Sequence, residues 1–255
     1  MLRSSAALTE EGTWRRIFLW RTYSLAGLSI ILSGMIAAGI YLLFGEKGPL
    51  VLLEWLQVLP KEFREIALIG EAILLLLIMV SLALLLLKWL EKPSMPLVVL
   101  FLAWVGFASI GGVILSPVFY IAGFALTLKV FIATGIVFTG TGLLASVIGI
   151  DLTRWGGQIL SVLIAIAMMG AVNVFIQSEW IELAWLYGGL VVWLLTAVYA
   201  HQLLAKLPMP TEDEIRRGAL TRLAIGGALL LYVLFYALFL RLLIIALSQQ
   251  GRRRR

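Results

Sequence analysis

Among the charged or strongly polar side chains inside long apolar runs, Glu71, Lys129, Asn173 and Arg241 are the candidates for chemistry. A charge at the centre of a membrane-crossing helix costs about 2.5 to 3.5 kcal/mol on insertion scales, so such groups mark ion pathways or gates by default. Glu71 beside one or both cations would relieve the burial of each charge and make an ion-binding position or gate. The alternative is that Lys129 and Arg241 snorkel to the headgroups while Glu71 meets water at the boundary. Lys88 cannot partner Glu71 on one straight helix, because 17 residues separate them by roughly 25 Å. Asn173 suits either an interhelical hydrogen bond or ion coordination. His201 could supply a proton-dependent charge, its unperturbed pKa being about 6.5, or be an ordinary interfacial histidine.

Covalent and metal chemistry find little support. The chain has no cysteine and one histidine, which excludes disulfides, thiolate nucleophiles and histidine-rich metal sites. No His-Glu-x-x-His string occurs, and no serine stands in a Gly-x-Ser-x-Gly context. Glu212-Asp213 with Arg217 has the spacing of a membrane prenyl-protease-like family, but it lies in a polar loop without the downstream histidines. We expect no enzyme, no cofactor and no bound metal. The net charge of +6 sits almost wholly outside the apolar runs, so it reports on topology and anionic lipid rather than nucleic acid.

These residues must be positioned by membrane-crossing helices. Of 255 residues, 62% are hydrophobic and 13% charged, and the mean hydropathy is +1.05. A soluble domain carries about half apolar and a quarter charged residues. Seven apolar runs are long enough to span about 30 Å of hydrocarbon, at 17–44, 66–89, 96–115, 124–148, 155–176, 181–204 and 220–247. They do not alternate, which excludes a β-barrel. The expected fold is an all-α membrane protein, a seven-transmembrane-helix bundle. Residues 1–16 form a cytoplasmic N-terminal segment, 17–248 a single transmembrane domain and 249–255 a basic tail. The stretch from Pro49 to Leu59 is too short to span and suits the headgroup layer, and Thr211 with Glu214 has capping-box spacing.

Orientation follows from lysine and arginine. Arg3, Arg15, Arg16, Lys88, Lys92, Arg154, Lys206, Arg216, Arg217 and Arg222 fall on the side of the N-terminus, against Lys47, Lys61 and Arg64 opposite. The N-terminus is therefore expected in the cytoplasm, and the arginine tail is an exception to the rule. On the cytoplasmic side, Asp151-Leu-Thr-Arg-Trp-Gly-Gly-Gln places Asp151 to cap the next helix, Arg154 to reach phosphate and Trp155 at the interface. Gly111, Gly112, Gly135, Gly140, Gly142, Gly156, Gly157, Gly226 and Gly227 would permit close helix approach, making 124–148 a packing helix. Trp104, Trp185 and Trp193 could line a pocket, although a transporter built from inverted repeats finds little support.

The order of motifs resembles the Bax inhibitor-1-like (transmembrane BAX inhibitor motif) family. The resemblance rests on Phe107-Ala-Ser-Ile-Gly-Gly-Val-Ile-Leu-Ser-Pro-Val-Phe, Ala133-Thr-Gly-Ile-Val-Phe-Thr-Gly, Ile150-Asp-Leu-Thr-Arg-Trp-Gly-Gly and Val172-Asn-Val-Phe-Ile, then runs weakly through Tyr199 to Leu231-Tyr232. It covers residues 66–245 and implies a seven-helix fold with a central last helix. In several relatives it also implies a pH-sensitive leak for calcium or other cations, latched by two aspartates that share a proton. The matching positions here are Ala200 and Leu234, so both carboxylates are missing. Two adjacent carboxylates titrate as a coupled pair and place a switch near neutral pH, which alanine and leucine cannot do. Glu71 is similar to the acidic residue that leak-forming bacterial members carry in the second helix.

The resemblance thus implies a cation-leak or stress-regulatory protein of the bacterial cytoplasmic membrane. Lipid and cations, calcium or protons, are the expected partners. The alternative is a non-conducting protein that restrains a membrane-bound ATP-dependent protease by association, as a bacterial branch of the family does.

Overall fold

The computed structural model describes residues 2–44 and 95–253, which form helices and connecting turns without a strand. The long helices are α1 (Leu2–Phe44), α2 (Leu97–Ala122), α3 (Phe124–Val147), α4 (Gly156–Ile176), α5 (Glu179–Lys206) and α7 (Ala219–Arg253). Between the last two lies the single turn of α6 (Glu212–Arg216). Hydrocarbon offers backbone amides no partner, so apolar runs of this length satisfy themselves as helices. Among the described residues, six helices are long and apolar enough to cross a membrane. The crossing expected at 66–89 lies outside the described residues.

Three boundaries differ from expectation, one of them at the C-terminal end, where α7 runs on to Arg253 past the expected stop at 247. α1 begins at Leu2, so the polar segment ahead of residue 17 continues the helix. α2 runs on to Ala122 through Pro117, where the apolar pattern suggested an end at Leu115. Proline brings no N–H for the carbonyl of Val113, four residues back. The Ser116 hydroxyl donates to that carbonyl at 2.8 Å instead, so the helix need not stop.

The contacts divide the chain into two compact units, each assembled from separated stretches. One unit comprises 1–19, 125–209 and 230–255. Its core is the stretch of α7 from Leu230 onward, where Leu231, Tyr232, Leu238 and Phe239 have no exposed surface. Phe131 and Phe138 of α3 meet Phe235 edge-on at 5.2 and 5.9 Å, and Phe131 meets Phe239 at 5.7 Å. α3 presents one buried stripe, Thr127, Val130, Thr134, Phe138 and Thr141. Thr134 and Thr141 return their hydroxyls to their own helix, at Val130 O and Phe138 O. Threonines, a valine and a phenylalanine thus make this face, while Gly135, Gly140 and, on α4, Gly157 look onto open space among the described residues. α4 buries no residue.

The other unit comprises, of the described residues, 20–44, 95–124 and 210–229. Thr22, Ala26, Ser29, Ser33 and Ala37 recur every three or four residues along α1 and are all buried. Ser33 Oγ reaches Ala108 O of α2 at 2.7 Å. At Gly112 the helices approach so closely that a Cβ would stand 2.7 Å from Ser33 O. The α6 cap has the expected form, with the Glu214 carboxylate accepting from the Thr211 amide and hydroxyl, both at 2.8 Å. Those bonds lower the Glu214 pKa. Gly218, at φ +88°, then turns the chain against Leu97.

Candidate functional site

At one end of the first unit, the 148–151 turn and the end of α5 form a polar layer. Asp151, extended at φ −84°, accepts from the Thr153 amide at 3.1 Å and the Thr153 hydroxyl at 2.5 Å, capping a single 3-10 turn, Leu152–Trp155, that leads into α4. The expected cap is therefore present, set one turn ahead of the helix proper. Lys206 Nζ lies 2.6 Å from Asp151 Oδ1. The more distant Arg154 Nε is 3.6 Å from Oδ2, on a side chain that is otherwise solvent-facing. The Lys206 contact foremost, then the Thr153 hydroxyl, hold the Asp151 pKa down at about 2.

Gln202, one turn before Lys206, is buried. Its carbonyl accepts from Leu152 N at 2.8 Å and its amide donates to Ile150 O at 3.0 Å. α1 contributes Arg15, which caps the end of α5 by donating to Ala205 O and to Leu207 O and pairs with Glu11 at 3.0 Å. Neither Gln202 nor Lys206 stood out in the sequence. Their signal was position alone, at the end of an apolar run on the same side as Asp151.

His201 is enclosed by the bundle. It is 3% exposed, its ring centroid is 5.1 Å from that of Phe138, and a Cβ on Gly142 would touch it at 3.4 Å. Ala200 and Leu234 are buried as well, so apolar atoms occupy both positions where the resemblance implies carboxylates.

The other end of the unit holds the remaining candidates. Asn173 closes the turn between α4 and α5: its side-chain oxygen accepts from Ser178 N at 3.0 Å, and its backbone oxygen accepts from Gln177 N at 2.8 Å. Gln177 takes the left-handed conformation, φ +54°, common where a helix stops. Lys129 is exposed on α3. Arg241 is buried, 8% exposed, with its guanidinium carbon 4.2 Å from the centre of the Trp185 ring. Its Nη1 donates to Trp185 O at 3.1 Å.

Trp185 is placed by a wide π-type turn, Ala184–Gly188, inside α5. The indole edge fits against Gly170 of α4, and the guanidinium against Gly189; a Cβ at either glycine would overlap its neighbour. The arrangement therefore requires both glycines. Among the described residues, neither Lys129 nor Arg241 has a carboxylate partner. Glu71 lies outside the described residues.

Helices of this length and hydropathy define a multi-pass integral membrane protein in a lipid environment. Over residues 15–252 the chain matches the family model of the inhibitor of apoptosis-promoting Bax1, and it belongs to that family. No curated protein matches it.

Proposed function

We propose that this chain is a regulated cation leak of the Bax inhibitor-1 type, passing calcium or other cations across a bacterial cytoplasmic membrane, without catalysis and with a role in stress regulation. Membership of the family over nearly the whole chain carries this reading. The N-terminus is placed in the cytoplasm on the strength of the lysine and arginine bias. Glu71 is the proposed ion-pathway group, with Lys129, Asn173 and Arg241 as further pathway or gate candidates. His201 is the proposed proton-sensitive group in a chain that lacks the paired carboxylates.

The test is flux from liposomes holding the purified protein, for calcium, potassium and protons across pH 5 to 8. The leak reading requires calcium flux that Glu71→Gln reduces. If no cation passes and Glu71→Gln changes nothing, the reading fails.

A second reading, a non-conducting protein that restrains a membrane-bound ATP-dependent protease, draws support from the apolar filling at Ala200 and Leu234. Recovery of such a protease by crosslinking, from membranes in which the chain passes no ions, would favour it.

A further inference from the structure

We propose that proton uptake at His201 parts α3 from α5 and releases the 148–151 turn that Gln202 holds against α5. This rests on the reading of His201 as the proton-sensitive group and deepens it, by naming the movement that the proton drives.

Two consecutive residues of α5 fasten the last turns of α3 and the turn that follows. His201 does so by enclosure: its ring centroid is 5.1 Å from that of Phe138, it bonds the Phe138 backbone, and a Cβ on Gly142 would meet it at 3.4 Å. The edge contact of Phe138 with Phe235 of α7, at 5.9 Å, closes the far side of that ring. Gln202 does so by hydrogen bonds, to Leu152 N at 2.8 Å, Ile150 O at 3.0 Å and Ala145 O at 3.5 Å. Because the two residues are adjacent on one helix, α3 cannot step away from His201 while Gln202 keeps all its partners.

A neutral imidazole suits this enclosure. An imidazolium does not, since the ring is 3% exposed and burying a charge costs far more than burying a neutral polar group. Charging therefore favours an arrangement in which α3 has moved back and water reaches the ring. The Lys206–Asp151 contact is a weak restraint on that movement, because both partners are partly exposed. Arg15 bonds Ala205 O and Leu207 O and so keeps the end of α5 on α1, which leaves α3 and its turn as the moving part.

His201 is the group here that changes charge near neutral pH. From α3 it meets Phe138 and Gly142, which do not titrate, and Lys129 lies nine residues before Phe138. α7 brings Tyr232 and Tyr236 beside Phe235. Tyr199 and Lys206 stand nearest on α5, and Arg154 and Asp151 occupy the turn. Tyrosine, lysine and arginine hold their charge states from pH 7.5 to 5, and Asp151, at about 2, stays ionised throughout.

The experiment is hydrogen exchange of the purified full chain in detergent from pH 7.5 to 5, read by mass spectrometry as protection relative to intrinsic exchange. Peptides over 142–152 should keep constant protection above about pH 6.5. Below it they should lose roughly tenfold per pH unit, the limit for one proton. Peptides over 127–134 should hold steady, and a parallel loss there would mean general unfolding and overturn the inference. His201→Phe should make the 142–152 profile flat and high, whereas Gln202→Leu should make it low at every pH. A flat wild-type profile, or a falling one in His201→Phe, overturns the inference. Should His201→Phe fail to fold, His201→Gln takes its place with the same expectation.

Conductance is a separate readout. With the expected profiles, a chain that passes no cation loses the leak reading and keeps the acid-released contact. With flat profiles, a chain that passes calcium keeps the leak reading and loses the contact.

Discussion

Lys206 Nζ stands 2.6 Å from Asp151 Oδ1, tying the last turn of α5 to the loop that opens α4. Both partners are partly exposed, so the contact is worth less than its distance suggests. Its signature is in the pH dependence. A carboxyl whose pKa falls on folding, here from about 3.9 unfolded to about 2, stabilises the folded state above the unfolded value. That contribution is lost as pH falls from about 4 toward 2. Thermal unfolding in detergent should therefore show wild type losing stability through this window, relative to Asp151→Asn. Above pH 5 the two should run in parallel.

Gln202 bonds three backbone groups in a site with little water, at Leu152 N, Ile150 O and, at 3.5 Å, Ala145 O. Gln202→Leu leaves an amide and a carbonyl without partners, which costs about 2 kcal/mol. A fall in Tm of roughly 5 °C is expected. An unchanged Tm would show that the 148–151 turn does not depend on this side chain.

Glycines with different surroundings should respond differently to alanine. At Gly112 the new methyl would meet Ser33 O at 2.7 Å and Ile36 Cβ at 2.8 Å, and backbone cannot step aside cheaply, so a loss of about 1 to 3 kcal/mol is expected. Gly135 meets open space among the described residues, and Gly135→Ala should be neutral or slightly stabilising. Denaturation of the two variants side by side provides the comparison.

Ser116 and Pro117 should be coupled. Ser116→Ala alone strands Val113 O and is expected to cost about 1 kcal/mol. With Pro117→Ala also in place, the restored amide can reach that carbonyl, and the serine change should cost much less. A double-mutant cycle on α2 stability measures the difference, and strict additivity would refute the role given to the hydroxyl.

What the sequence disclosed was local or spread over long runs. The six described spans were legible because hydrocarbon demands length and apolarity together, and the α6 cap because Thr211 and Glu214 are three residues apart. The cap at Asp151 was legible for the same reason, since Thr153 stands only two residues on. Links across the fold were not, because they depend on which ends of which helices meet. Nothing in the run 179–206 announces that Lys206 will find Asp151, or that Trp185 will lie under Arg241. The end of α2 was misplaced because a proline reads as a stop until its neighbour's hydroxyl is taken into account.

The wide turn at Ala184–Gly188 also sets the phase of α5. It accommodates a residue that a regular helix would not, so the faces before and after it are out of step by about 100°. Removing one residue there would return α5 to an even winding and swing its leading segment around the axis. The tryptophan would then leave its glycine niche, and the arginine on α7 would lose both the ring and the carbonyl in a single event.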